Sequence, residues 1–236
     1  MIPIRDSIPC HIRPVVTWVL MAICIAVFIL MLLVPNYLSQ HWLHLYGMVP
    51  IRYTNPVWAK HFGLPPDYHL SFVTSLFLHG GWMHLLVNMM FMWIFADNIE
   101  DLMGHKRFLI FYLLCGVIAS AVQWYFAQNL IIPVVGASGA IAGVLGAYFF
   151  RFPQARVTIL LPILIFPFFF EVPAIAFLGL WVILQLQQLT TAAVFPGAAT
   201  ESAWWAHLGG FVTGALIHRF FIKQSRLIES QTWVEE

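Results

Sequence analysis

Apolar residues fall along this chain in blocks, at about 14–34, 80–98, 106–128, 138–152, 172–190 and 203–221. The first block holds about 21 residues between Pro14 and Val34. That is enough to cross a hydrocarbon core of ~30 Å at ~1.5 Å per residue. A further apolar stretch, VTILLPILIFPFFF at 157–170, is broken by Pro162 and Pro167. It is expected to form an interfacial or re-entrant connector, or an extra half-span. The connection from 35 to 77 carries Trp42, Tyr46, Trp58 and Tyr68, rings suited to a membrane interface. The pattern predicts an all-α polytopic membrane protein with six spans and a short fourth one. Residues 14–221 form its membrane domain, with residues 1–13 and 222–236 as cytoplasmic tails.

Composition agrees. Of 236 residues, 61% are hydrophobic and 9% are charged, against about 25% charged in a soluble domain. A net charge of +1 says nothing about nucleic acid, and no basic cluster or aromatic-basic stripe suggests it, so no nucleic-acid partner is expected. Cys10, Cys24 and Cys115 have no metal spacing and read as packing residues. His41, His44, His61 and His69 lie scattered in the 35–77 connection without a ligand set, so no metal and no cofactor is expected. The opening segment MIPIRDSIPCHIRP is polar and has no small-residue cleavage site, so the first block is expected to be a retained span.

Six spans place both termini on one side. Arg5, Arg13, Lys106, Arg107, Arg151, Arg156, Arg219, Lys223 and Arg226 then share that side, and Arg52 and Lys60 fall on the other. Nine of eleven cations on one face put both termini in the cytoplasm. The expected location is a bacterial inner membrane.

The fourth block raises the chemical question. Ser138 stands among small residues only thirteen positions before Arg151, roughly 20 Å of helix. If Arg151 marks the inner interface, Ser138 lies on the order of 10 Å below the outer surface of a ~30 Å core. The unpaired N–H groups of a helix end at that depth require something other than lipid, such as a water-filled cavity. His207 precedes Arg219 by twelve residues and His84 precedes Asp97 by thirteen, which puts both at similar depth. Asn88 follows His84 by four residues, on the same helix face. Gly139, Gly143 and Ala147 form a small stripe on the fourth span, and Gly210 and Gly214 form one on the sixth. Such stripes allow close helix approach, which would bring Ser138 against His207 as nucleophile and base. Glu201, Glu171, Asp97, Glu100 and Asp101 are the acids considered, and none sits at the right depth to complete a triad. The expected arrangement is a dyad. His84, Asn88 and the Ser138 N–H, at the positive end of a helix, are the expected oxyanion donors.

In the order HGGWMHLLVNMMFMW, GASGAIAG and AHLGG, these motifs resemble the rhomboid family of intramembrane serine proteases, over spans two to six. The resemblance implies a six-helix rhomboid-like bundle in which Ser138 is the nucleophile and His207 the base. It implies an oxyanion site at His84, Asn88 and the Ser138 amide, with Gly136 and Gly139 supporting the loop. Glu100 fits the family's structural acidic residue, and His79 opens its histidine pattern. Two departures stand out. Ala142 replaces the aromatic that supports the histidine in some members, and no Trp-Arg pair anchors the first loop.

The expected activity is endoproteolysis of single-span membrane proteins near the outer end of the span, with transmembrane proteins and lipid as partners. The alternatives are a catalytically inactive rhomboid-like binding factor and a proton-coupled transporter. Against the transporter, spans two and six lack a mid-depth carboxylate and no inverted repeat is visible. The Met and Phe runs of spans two and five are expected to face lipid, and His105 and His218 to be structural.

Overall fold

The structure, a computed structural model, describes residues 2–163, 166–194 and 203–223. In chain order it contains strand β1 (Ile2–Asp6), helix α1 (Val15–Leu33), and the short helices α2 (Asn36–Tyr46), α3 (Ile51–Thr54), α4 (Pro56–His61) and α5 (Ser71–Thr74). A 3-10 turn at Ser75–Phe77 leads to helices α6 (Trp82–Met103), α7 (His105–Phe126) and α8 (Ser138–Arg151). Strands β2 (Arg156–Ile163) and β3 (Phe166–Pro173) follow, then helices α9 (Ala174–Val194) and α10 (Trp204–Phe221). Each apolar block forms one helix. Val15–Leu33, His105–Phe126 and Ala174–Thr191 are long and apolar enough to cross a membrane, with mean hydropathies of 2.9, 1.8 and 1.4. The chain is a mostly α-helical membrane protein.

Helix α8 is the centre of the bundle. Every residue from Gly139 to Tyr148 is buried, with α10, α7 and α6 around it. Small residues make this possible. A Cβ at Gly143 would stand 2.5 Å from Cys115 Cβ, and one at Gly139 would stand 2.8 Å from Ala119 Cβ, both on α7. A Cβ at Gly210 would run into the Gly139 carbonyl, and one at Gly214 into the Gly143 carbonyl. The backbones of α8 and α10 therefore touch. The methionine run of α6 departs from the expectation that it faces lipid. Met89 and Met92 are buried, and Phe95 packs edge-on against Tyr148 at 4.9 Å. The shortness of α8 explains this, because a neighbour made of small residues leaves volume for flexible side chains on α6 to fill.

The proline-broken stretch 157–170 is a β-hairpin. Strands β2 and β3 pair antiparallel, with Thr158 opposite Glu171, and β1 adds to the other side of β2. Proline excludes a helix interior but is tolerated on edge strands. Pro3 lies in β1 and Pro167 and Pro173 lie in β3, the two edges, while Pro162 lies in the central strand β2 beyond Leu160, where the pairing with β1 ends. Val157 and Ile159 are fully buried. The opening residues are thus built into the fold. The Tyr148 hydroxyl, near the C-terminal end of α8, donates to Asp6 Oδ2, and burial pushes the Asp6 carboxyl up to about 6.

Glu100 ties three helices. Its carboxylate is fully buried and accepts from Val16 N (2.9 Å), Thr17 N (2.8 Å) and Thr17 Oγ1 (2.7 Å), the unpaired donors of the first turn of α1. His105 Nδ1, at the start of α7, lies 2.5 Å from Oε1, the oxygen that Val16 N also reaches. Glu100→Ala leaves these donors bare, and each hydrogen bond to a charged group is worth about 1.5–3 kcal/mol. The variant is expected to lose thermal stability in detergent by about 3 kcal/mol or more; a melting curve matching the parent would refute this role.

The 35–77 connection also has an anchor. Arg52 is fully buried and donates to the carbonyls of Leu45, at 3.0 Å, and His44. It holds the loop without a Trp-Arg pair.

Candidate active site

The cavity expected outside Ser138 is present. An open cleft of ≈ 750 Å³ is lined by residues that include His84, Ser138 and His207, with Gly80, Gly81 and the 131–135 segment along its wall. Gln40 and His44 of α2 reach its rim. The segment before α8 is held by its backbone. Met48 and Val134 exchange hydrogen bonds of 3.1 and 2.8 Å, and Gly136 N donates to Ser75 O at 2.9 Å. Gly136 has φ +120°, a conformation that side chains resist. A Cβ there would lie 2.5 Å from His84 Nε2 and 3.5 Å from Asn88 Nδ2. Only glycine lets the chain turn against both side chains and start α8 at Ser138.

Ser138 and His207 are brought together. Ser138 Oγ lies 2.9 Å from His207 Nε2. The close α8–α10 packing produces this, since His207 stands one turn before Gly210 on the contact face. Gly139 packs on Ala119 within the helix pair rather than in the loop. His84 and Asn88 flank Gly136 from α6, and Asn88 Nδ2 is a buried donor with no hydrogen-bond partner. His79 is 1% exposed and stacks edge-on against His84, with ring centroids 5.2 Å apart.

Among the described residues, no carboxylate is hydrogen-bonded to the pair. Glu171 lies in β3 opposite Thr158. Asp101 receives His11 N at 2.6 Å, and Glu100 is engaged as described. Glu201 lies outside the described residues. The sequence reading missed Gln185 of α9, whose Oε1 lies 2.9 Å from His207 Nδ1. The available signal was a group of three amides, Gln185, Gln187 and Gln188, in an apolar run. Trp181 and Trp204 bracket the His207 ring, with centroids at 6.0 and 5.9 Å. They supply the aromatic support that Ala142 does not.

Fold and site together define a helical membrane protein with a hydrogen-bonded serine–histidine pair at a helix N-terminus, facing a cleft. A family model described as Rhomboid domain matches residues 67–224, and the chain belongs to the rhomboid family. A zebrafish (Danio rerio) protein named presenilin-associated rhomboid-like protein A, mitochondrial, is 40% identical over 41% of this chain and 26% of its own. Rhomboid protein 1, mitochondrial, of Saccharomyces cerevisiae is 31% identical over 73% of this chain and 47% of its own. A Bacillus subtilis protein, YdcA, whose name includes the words rhomboid protease, is 41% identical over 33% of this chain and 39% of its own. The chain thus spans about a quarter to a half of the length of these relatives. Two of the names include the word mitochondrial, and the expectation of a bacterial inner membrane is not supported by them.

Proposed function

We propose that this chain is an intramembrane serine endopeptidase that cuts single-span membrane proteins near the outer end of the span. The observation that carries the reading is the 2.9 Å contact between Ser138 Oγ and His207 Nε2 at the head of a helix of only 14 residues, open to a cleft. Oγ attacks the scissile carbonyl carbon as Nε2 takes its proton. The carbonyl oxygen becomes an oxyanion and accepts hydrogen bonds from Asn88 Nδ2, the His84 ring and the Ser138 N–H at the helix end. The C–N bond breaks, and the imidazolium gives its proton to the leaving amine. Water, deprotonated by Nε2, then cleaves the ester and restores Ser138. Because the ring must start neutral, activity falls on acidification.

The six long helices are read as six spans, with both termini, β1 and the hairpin on the cytoplasmic face. A single cysteine at Trp58 is then labelled from outside by an impermeant reagent, and one at Gln154 only after the membrane is opened. Labelling of residue 154 from outside would overturn the orientation. Purified protein in vesicles with a single-span substrate tests the activity. Two fragments, with the cut mapped by mass spectrometry to the outer end of the span, support the reading. An uncut substrate that stays bound would favour the non-catalytic binding factor.

A further inference from the structure

Helix α9 is lightly held. In its apolar window 17% of residues are buried. The side it turns inward carries Ala174, Phe177, Leu178, Trp181, Val182 and Gln185, at helical spacing. Five of these are apolar. Gln185 is 7% exposed, and an amide at such a position in a membrane requires a partner. The neighbouring Gln187 and Gln188 are exposed.

Its partner is His207, and the geometry restricts the imidazole proton. Gln185 Oε1 faces Nδ1 at 2.9 Å, and Ser138 Oγ faces Nε2 at 2.9 Å. A neutral imidazole has one N–H and one bare nitrogen, and an amide oxygen only accepts. With Oε1 toward Nδ1 the proton sits on Nδ1, leaving the Nε2 lone pair aimed at the serine hydroxyl, whereas an amide turned end for end would donate to Nδ1 and put the proton on Nε2. The opposite tautomer would set lone pair against lone pair at Gln185. It would also point an N–H at Ser138, from which no proton could then be taken. In serine proteases this tautomer is usually held by a carboxylate; here, among the described residues, an amide stands in that place.

We infer that Gln185 is the positioning residue of the proposed dyad, fixing the proton on His207 Nδ1 and making the seating of α9 a condition of serine activation. The inference rests on reading Ser138 and His207 as the dyad. Trp181, one turn earlier on α9, packs on the same ring. Displacing α9 thus removes both the proton's anchor and the ring's support. The titratable side chain that faces His207 is His84 of α6, so its protonation adds to any pH profile and must be separated with a His84 variant.

The test uses the full chain in bicelles with ¹⁵N-labelled histidine, the His207 signals being assigned by their loss in His207→Ala. Gln185→Met keeps length and removes the acceptor; Gln185→Glu keeps an acceptor oxygen. The parent is expected to show the proton on Nδ1, and Gln185→Met a mixture of tautomers. In metal sites, partners that fix a histidine's tautomer account for about 10–100-fold, and Gln185→Met is expected to lose kcat by a similar factor with KM little changed. Gln185→Glu restores the Nδ1 proton and recovers activity at alkaline pH. Its acid limb moves upward, also in a His84→Gln background, because a carboxylate favours imidazolium.

An unchanged tautomer and an unchanged kcat in Gln185→Met overturn the inference while leaving the protease reading intact. If Gln185→Met does not fold, an unmoved acid limb in Gln185→Glu overturns it. A parent that cleaves nothing, yet changes tautomer on Gln185→Met, sustains the positioning of His207 and removes the protease reading instead.

Discussion

Ser138→Ala is expected to abolish cleavage of a single-span substrate in vesicles, and His207→Ala to do the same. Each variant removes one end of the 2.9 Å contact between Oγ and Nε2. A hydroxyl without its base is a weak nucleophile, and a base without its hydroxyl has nothing to activate. The two act as one unit, so the double variant is expected to be no slower than either single one. Asn88→Ala is expected to be milder, because one oxyanion donor typically contributes ~10²–10³-fold and others remain. Among the described residues, Asn88 Nδ2 has no hydrogen-bond partner. Its loss is therefore expected to lower the rate without removing a hydrogen bond made by Nδ2 in the fold, with kcat falling more than the melting temperature. Full activity in Ser138→Ala would remove the proposal.

The second large effect lies in the substrate. A peptide bond inside a regular helix has its carbonyl hydrogen-bonded and its faces covered by side chains. To reach Ser138 it must leave the bilayer, enter the cleft and unwind. Glycine costs about 1 kcal/mol and proline about 3 kcal/mol relative to alanine in a helix, so these residues near the outer end of a span promote unwinding. Replacing one such Gly and one such Pro with Leu restores up to about 4 kcal/mol of helix stability, which corresponds to a slowing of up to about 10³-fold if unwinding precedes the chemical step. Gly136, Ala137 and Gly139 surround Ser138, and the cut is expected after a small residue. Cleavage that ignores these replacements would show that unwinding does not limit the reaction.

The Ser138–His207 contact was legible in the sequence because helix rise is nearly invariant. Counting from Arg151, Arg219 and Asp97 put Ser138, His207 and His84 at one depth, and the glycine stripes supplied the close approach that joins the first two. Other features depended on long-range packing. Pro162 and Pro167 excluded a helix but did not reveal that residues 157–170 would pair into a hairpin, or that β1 would join it from about 150 residues away. The lipid-facing expectation for Met89 and Met92 failed because hydropathy does not distinguish a bilayer from a neighbouring helix. Gln185 was hidden among Gln185, Gln187 and Gln188. Which of the three turns inward depends on the rotation of α9 about its axis, and no local periodicity fixes that. Arg52 entered the sequence reading only as one of two cations on the far side of the charge count, whereas it is fully buried and holds the 35–77 connection.

The central claim is that Ser138 is a nucleophile activated by His207. Treating the purified full chain in bicelles with a fluorophosphonate, followed by peptide mapping, tests it directly. The account predicts one covalent adduct on Ser138 that is absent in Ser138→Ala and slowed by orders of magnitude in His207→Ala. A folded protein that cleaves its substrate yet takes no adduct at Ser138, or takes it equally well without His207, would contradict it.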